Sequence, residues 1–174
     1  MARFVYSDPH FDSESIIRNG QRPFQTVAEM NAKLIENYNS VINKHDVCYW
    51  LGDIMYGATP EKVRKVLQQM RGRKYLILGN HDRGHSENWW LSCGFDKVFS
   101  HPIYDAVNYI LLSHEPLPEF GNLPKIANIH GHIHIQDYDF ENHAHCINVC
   151  VEKTDYRPVP MANPFIDEIR KFSR

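Results

Sequence analysis

The chain has 174 residues, 19 Lys plus Arg against 21 Asp plus Glu, a formal net charge of −2 and 43% hydrophobic content, which predicts one globular domain over residues 1–174 with a core that needs no staples. That near-neutral balance excludes a coat for long nucleic acid, and no apolar run approaches the roughly 18 residues of a membrane span. Four cysteines, Cys48, Cys93, Cys146 and Cys150, are too sparse for a secreted disulfide framework, and no charged-then-apolar leader precedes the first strand-like run, so a reducing cytoplasm is the expected setting.

Phe4 to Tyr6 opens the chain as a strand-like run. Thr26 to Lys44 follows with Val27, Met30, Leu34, Tyr38, Val41 and Ile42 at three- and four-residue steps, the pattern of an amphipathic helix covering one sheet face. Val47 to Leu51 predicts the second strand. Thr59 then caps a helix with Pro60 at its first position, Val63, Val66, Leu67 and Met70 on its buried side, and Gly72 beyond its end. Tyr75 to Leu78 is the third strand, and a short helix from Ser86 to Cys93 is closed by Gly94. Further strands are expected at Tyr109 to Leu112, Ala127 to Ile129 and Ile147 to Val151, separated mainly by turns, with a last short helix opened by Asn163 and Pro164. Parallel βα units followed by a β-rich stretch predict an α/β fold of two packed sheets with helices outside.

Five of these runs end alike, in a small residue and then a candidate metal ligand. They read Ser7-Asp8-Pro9-His10, Gly52-Asp53, Gly79-Asn80-His81-Asp82, Ser113-His114 and Gly131-His132-Ile133-His134. In open α/β sheets, ligand sites lie just beyond the carboxyl ends of the strands, so these side chains are expected along one crest. The small residues leave room for close approach. Asp8 and His10, like His132 and His134, are two apart and face the same way if the backbone is extended. Two-metal sites hold their ions about 3.5–4 Å apart, a gap one carboxylate spans, and Asp53 is the candidate bridge. Two divalent ions carry a charge of +4, against −2 from Asp8 and Asp53. The remainder is positive even after a hydroxide binds, which favours an anionic substrate such as a phosphate ester.

These motifs resemble the calcineurin-like metallophosphoesterase family. Ile16-Ile17-Arg18, Arg22-Pro23-Phe24, Asn148-Val149 and Tyr156-Arg157-Pro158-Val159 extend the likeness to its small bacterial and phage members. The resemblance implies a four-layer α+β fold, two packed mixed β-sheets flanked by helices, and hydrolysis of phosphate esters at a binuclear centre, with phosphodiesters slightly favoured over phosphomonoesters. It implies that Asp8, His10, Asp53 and His134 hold one ion and Asp53, Asn80, His114 and His132 the other. His81 corresponds to the catalytic histidine that contacts the phosphate or protonates the leaving oxygen. Manganese is the leading cofactor expectation, with iron, zinc, nickel and magnesium as alternatives. Tyr56 stands three residues after Asp53, where the protein serine/threonine phosphatases carry a carboxylate, so that branch is disfavoured. Phe11-Asp12-Ser13 stands where small members often carry a further histidine.

Arg18, Arg22 and Arg83 are candidates to grip the substrate phosphate, since guanidinium binds its oxygens in a fork; ordinary surface placement is the alternative. Asp82 is expected to bond backbone within its turn. Cys146 and Cys150, four apart on a strand, would stand roughly 13 Å apart, too far to share one zinc, and are read as buried thiols. His130 either orients a ligand or is a satisfied buried histidine; His45, His85, His101, His143 and His145 belong to no motif. Trp89 and Trp90 cannot both face the core from one helix, and Arg71, Arg73 and Lys74 read as a solvated strand edge. The expected partner is a small phosphate ester, a nucleotide among the candidates, with no membrane or long nucleic acid and with a homo-oligomer compatible. The same fold can also serve as a non-catalytic protein-binding scaffold, as in the retromer subunit that resembles it; degraded ligands would signal that use, and none is degraded here.

Overall fold

The computed structural model describes residues 1–19, 21–117, 126–136 and 145–164. Its first sheet contains β1 (Arg3–Tyr6), β2 (Val47–Trp50), β3 (Arg73–Ile77), β4 (Lys97–Phe99) and β9 (Val159–Pro160), in the order β4-β3-β2-β1-β9. The second contains β5 (Ile103–Asp105), β6 (Ile110–Leu112), β7 (Ala127–His130) and β8 (Cys146–Asn148), in the order β5-β6-β7-β8. Each sheet is parallel apart from one antiparallel edge strand, β9 in the first and β5 in the second. Tyr6 pairs with Trp50 and Trp50 with Leu76, so β1, β2 and β3 end level. The residues that follow them leave the sheet at one edge.

Alternation along these strands sorts the core into two slabs. Val5, Leu51, Ile77, Ile110, Leu112, Ile129 and Val149 fill the space between the sheets. Tyr6, Cys48, Trp50 and Leu76 point the other way, toward the helices. There α2 (Val27–Val41) lays down Met30, Leu34 and Tyr38, α3 (Pro60–Leu67) adds Val63, Val66 and Leu67, and α4 (Glu87–Cys93) adds Trp90 and Cys93. Trp50 is the hub of this slab, with ring centroids 5.1 Å from Tyr6, 5.5 Å from Tyr38 and 5.7 Å from Phe95.

Each of these three helices starts on a side-chain cap. Thr26 Oγ1 accepts from the Glu29 amide at 3.1 Å, Thr59 Oγ1 from Lys62 and Ser86 Oγ from Trp89, each at 3.3 Å. Gly94 closes α4 at φ 117°, a left-handed conformation that suits glycine. The first long helix ends at Val41, short of the expected Lys44, because Ile42 turns extended with its amide still bonded to Tyr38.

Four elements carry no pattern in the sequence. Helix α1 (Glu14–Asn19) buries no residue, and β4, β5 and β9 are three, three and two residues long. Two expectations change. The strand expected from Ile147 to Val151 runs from Cys146 to Asn148 instead, a 3-10 turn begins at Val151, and Val149, Cys150 and Val151 are all buried. Arg73 and Lys74 lie on an inner strand rather than an edge, and Lys74 is only 7% exposed, its Nζ bonded to the Gly72 carbonyl at 2.9 Å. The final helix expected beyond Pro164 lies outside the described residues, as does His143. Among the described residues no helix is long and apolar enough to cross a membrane.

Candidate metal centre

The strand tips bring Asp8, His10, Asp53, Asn80, His114, His132 and His134 to one place where the two sheets meet. They do so through strained backbone. Asp8, His10, Asp53, His132 and His134 have φ of 55°, 49°, 56°, 72° and 51°, the left-handed region that costs a non-glycine residue of order 1–2 kcal/mol. The extended geometry expected for the two i, i+2 pairs is therefore absent. The side chains converge because the chain turns left-handed at both members of each pair. Strain repeated at so many polar residues marks a site that the surrounding fold holds in place.

Glycines make the convergence sterically feasible. A Cβ on Gly79 would stand 2.2 Å from Asp53 Oδ1, one on Gly52 2.5 Å from the Gly79 nitrogen, and one on Gly131 2.0 Å from Ser7 Oγ and 2.1 Å from Asp8 Oδ2. Gly131→Ala is expected to displace Asp8 and to cost about 1–3 kcal/mol. Thermal unfolding should show a melting point lower by several degrees, and an unchanged one would mean the loop yields freely.

Two donor sets meet at Asp53. Its Oδ2 lies 3.5 Å from His10 Nε2, which is 3.9 Å from Asp8 Oδ1; that oxygen is 4.0 Å from His134 Nε2. Its Oδ1 lies 3.5 Å from His114 Nε2, which is 2.8 Å from Asn80 Oδ1 and 3.1 Å from His132 Nδ1. Donors bonded at about 2.1 Å to one cation stand about 3.0–3.4 Å apart, so the second set has near-ligating spacing and the first is slightly wider. Each of the groups Asp8–His10–Asp53 and Asp53–His114–His132 keeps its donor atoms within 4.8 Å of one another.

Hydrogen bonding shows that these atoms lack a partner that a cation would supply. Asp8 Oδ1 and His10 Nε2 are buried with no hydrogen bond at all, an arrangement that is otherwise costly. The other Asp8 oxygen accepts from Ser7 Oγ, from the His132 amide at 3.0 Å and from Cys150 Sγ at 3.3 Å, which aims Oδ1 into the site. His114 donates from Nδ1 to the Leu51 carbonyl at 2.7 Å. In the neutral ring this leaves Nε2 facing Asn80 Oδ1 at 2.8 Å, two acceptors that share His132 Nδ1 as a neighbour, at 3.1 and 3.0 Å, and that a cation between them would reconcile. Burial drives His10 down to a pKa of about 3, keeping it neutral. Burial raises the Asp53 carboxyl, with the Asp8 charge adding to the effect and His114 opposing it. The donor set thus fits divalent cations.

A second tier holds the donors, and part of it has no signal in the sequence. Glu152 is a buried carboxylate that accepts from His134 Nδ1 at 3.0 Å and from Arg22 Nε at 2.9 Å, with Arg22 Nη2 at 2.7 Å. Burial alone would raise its pKa, but the His134 hydrogen bond and the Arg22 charge outweigh that and hold it at about 2. Nδ1 of His134 is thereby committed to Glu152, leaving Nε2 for the site. The remaining Arg22 donors reach the Pro9 and Asp8 carbonyls, both at 2.7 Å. Arg22 is consequently not a substrate contact: its side chain is 0% exposed and fully occupied with bracing the Asp8 loop. Asp82 also acts inward, accepting from the amides of Asp53, Gly79 and Ile54 at 2.7, 2.9 and 3.0 Å; burial raises its pKa to about 6.

His81, Arg18 and Arg83 remain at the surface. The His81 amide donates to Asp53 Oδ1 at 3.0 Å while its ring, 67% exposed, faces the cleft that also exposes His10 and His134. Arg18 is solvent-exposed and paired with Glu14, and Arg83 stands 3.7 Å from Glu115 on the His114 side. His130 is buried with Nδ1 on the Gly131 carbonyl at 2.8 Å, touching no candidate donor through that nitrogen. Trp90 is buried and donates to the Asp82 carbonyl, whereas Trp89 stacks on His85 at 3.8 Å. All four cysteines are buried thiols.

Among curated proteins, the uncharacterized protein MJ1445 of Methanocaldococcus jannaschii is 33% identical over 163 residues, covering 91% of this chain and 86% of that one. The Gene 66 protein of Mycobacterium phage L5 is 36% identical over 107 residues, 52% of each chain. Among solved structures, protein AQ665 of unknown function from Aquifex aeolicus superposes with a TM-score of 0.71 at 26% identity over 98% of both chains. The family model for calcineurin-like phosphoesterases matches residues 2–167, and the chain belongs to that family.

Proposed function

We propose that the protein is a binuclear metal-dependent phosphoesterase, with phosphodiesters slightly favoured over phosphomonoesters as substrates. In this reading Asp8, His10, Asp53 and His134 hold one cation and Asp53, Asn80, His114 and His132 the other. The observation that carries it is Asp53, whose two carboxylate oxygens each face a separate set of donors. Divalent cations bound there, manganese before iron, zinc, nickel or magnesium, would supply Lewis acidity and a nucleophile at neutral pH.

The chain's own groups do the rest. Only Asp8 and Asp53 bring negative charge to the seven-residue donor set, so a loaded site remains positive toward an incoming phosphate. Tying the His81 amide to Asp53 places the imidazole over the cleft, where it can contact a phosphoryl oxygen or give a proton to the departing one. Arg83, beside His114, and Arg18, exposed on α1, are the remaining candidate phosphate contacts. Four cysteines held as buried thiols fit a reducing, cytoplasmic setting.

The test is elemental analysis of protein purified without chelator, followed by hydrolysis of an aryl phosphodiester and an aryl phosphomonoester with added manganese. Two metal equivalents and turnover of the diester are expected; fully loaded protein that turns over neither ester overturns the reading. His81→Ala should keep the metal content and lose about 10²–10⁴-fold in kcat, the usual range for a positioned acid or base. An unaffected rate removes His81 from the mechanism.

A further inference from the structure

Taking the phosphoesterase reading as its premise, the structure points to where the organic part of the ester goes. We propose that Tyr56 is a stacking platform for a planar ring carried by the substrate on the His81 side of the centre. Among the described residues, two clefts border the candidate metal centre, and they differ in size. The one beside His114 and Arg83 holds about 110 Å³. The one onto which His10, His81 and His134 open holds about 400 Å³, with Ile16, Met55 and Tyr56 along its wall. Organic ligands occupy pockets of about 300–1,000 Å³, so of these two clefts, as the described residues line them, the second has room for more than a phosphate.

Tyr56 has the character of a preformed contact surface. It is 69% exposed, unusually so for a large aromatic side chain, yet its backbone is anchored. Its amide donates to the Phe11 carbonyl at 2.8 Å, the Phe11 amide donates to Ile54, and Phe11 and Met55 form a parallel bridge with both side chains buried beneath. This bridge continues the β1–β2 pairing past Asp8 and Asp53, so Tyr56 rides on the same two segments that hold both carboxylates. On an anchored backbone, a tyrosine ring with two side-chain torsions loses little freedom on stacking, and it sits three residues from the candidate bridge between the two donor sets. Because His81 faces this cleft, the ring-bearing group lies on the side where the leaving oxygen would receive a proton. An ester of an aromatic or nucleoside alcohol fits that space.

The experiment is calorimetric titration of manganese-loaded protein with non-hydrolysable phosphonates: methylphosphonate against phenyl-, benzyl- and 2-phenylethylphosphonate. At least one aromatic member is expected to bind about tenfold more tightly than methylphosphonate, the size of one stacking contact. Tyr56→Ala should remove that preference without moving the methylphosphonate Kd, and Tyr56→Phe should restore it. Equal affinity for all four in the wild type, or a preference that survives Tyr56→Ala, overturns the Tyr56 assignment alone. Failure of every phosphonate to bind overturns the phosphoryl site itself and this proposal with it.

Discussion

Asp53→Asn is expected to bind less than one equivalent of metal and to hydrolyse esters at least about a thousandfold more slowly, since several kcal/mol of charge stabilisation go with the bridge. The same substitution should leave the chelated protein no less stable. Asp53 is 2% exposed and Asp8 is fully buried, so two carboxylates are held together out of water; burial raises the Asp53 carboxyl, His114 opposes that, and the Asp8 charge adds to it, leaving ionisation of Asp53 disfavoured. Neutralising one of them relieves that repulsion, while the amide oxygen can still accept from His81 at the position of Oδ1. Melting curves in chelator should therefore be unchanged or raised by a few degrees, each kcal/mol being worth about 2–4 °C in a chain of this size. A residue kept for the fold would show the reverse, lower stability with metal content intact. That pattern, or full activity, would overturn the bridging assignment.

Arg22→Met should give the largest loss of stability of any substitution considered. Removing one partner of a buried ion pair leaves the other uncompensated and costs about 3–5 kcal/mol, and here the carbonyls of Asp8 and Pro9 lose their donors as well. A melting point lower by about 10 °C or more is expected, together with weaker metal binding because the Asp8 loop loses its brace. Glu152→Gln alone should be milder, since an amide oxygen can still accept from both partners.

The pH dependence follows from the Glu152 carboxyl, which moves from its ordinary 4.5 down to about 2 in the fold. A depressed carboxylate contributes stability that is fully present above pH 4.5 and is lost as pH falls toward 2. Wild-type protein should lose stability more steeply across that window than Glu152→Gln. Identical acid limbs would show that the pair contributes nothing to folding.

Much of the site was legible without coordinates because it is written locally. Ligand-type residues behind a small residue, repeated at Asp8, Asp53, Asn80, His114 and His132, form a signal that needs only the knowledge that strand ends converge. The helices beginning at Thr26, Thr59 and Ser86 were readable from local pattern too, with the cap at Thr59 and the closing Gly94 each decided by a few adjacent residues. What escaped was nonlocal or too short to have a period. Glu152 lies in a one-turn segment beside Lys153 and looks like surface, yet it is the carboxylate behind His134. Arg22 looked like a phosphate grip because arginine suits phosphate; only the packing of its loop against Glu152 reveals that it faces inward. Helix α1 has no buried residue, and β4, β5 and β9 are edge or near-edge pieces whose pairing comes from neighbours.

Composition, periodicity and motif order were sufficient for the layered α/β architecture and for placing candidate ligands behind five strands; the family resemblance narrowed them to seven candidate donors. Hydrophobic alternation and the chemistry of His, Asp and Asn are properties of the residues themselves. Tertiary structure alone decided which donors share a neighbourhood, since left-handed backbone at Asp8, His10, Asp53, His132 and His134 overrides the extended geometry their spacing suggests. It also decided which charged groups face inward and which cleft has room for a substrate. Those outcomes depend on contacts between segments more than a hundred residues apart, such as Arg22 with Glu152 and Asp8 with His132, and no local reading contains them.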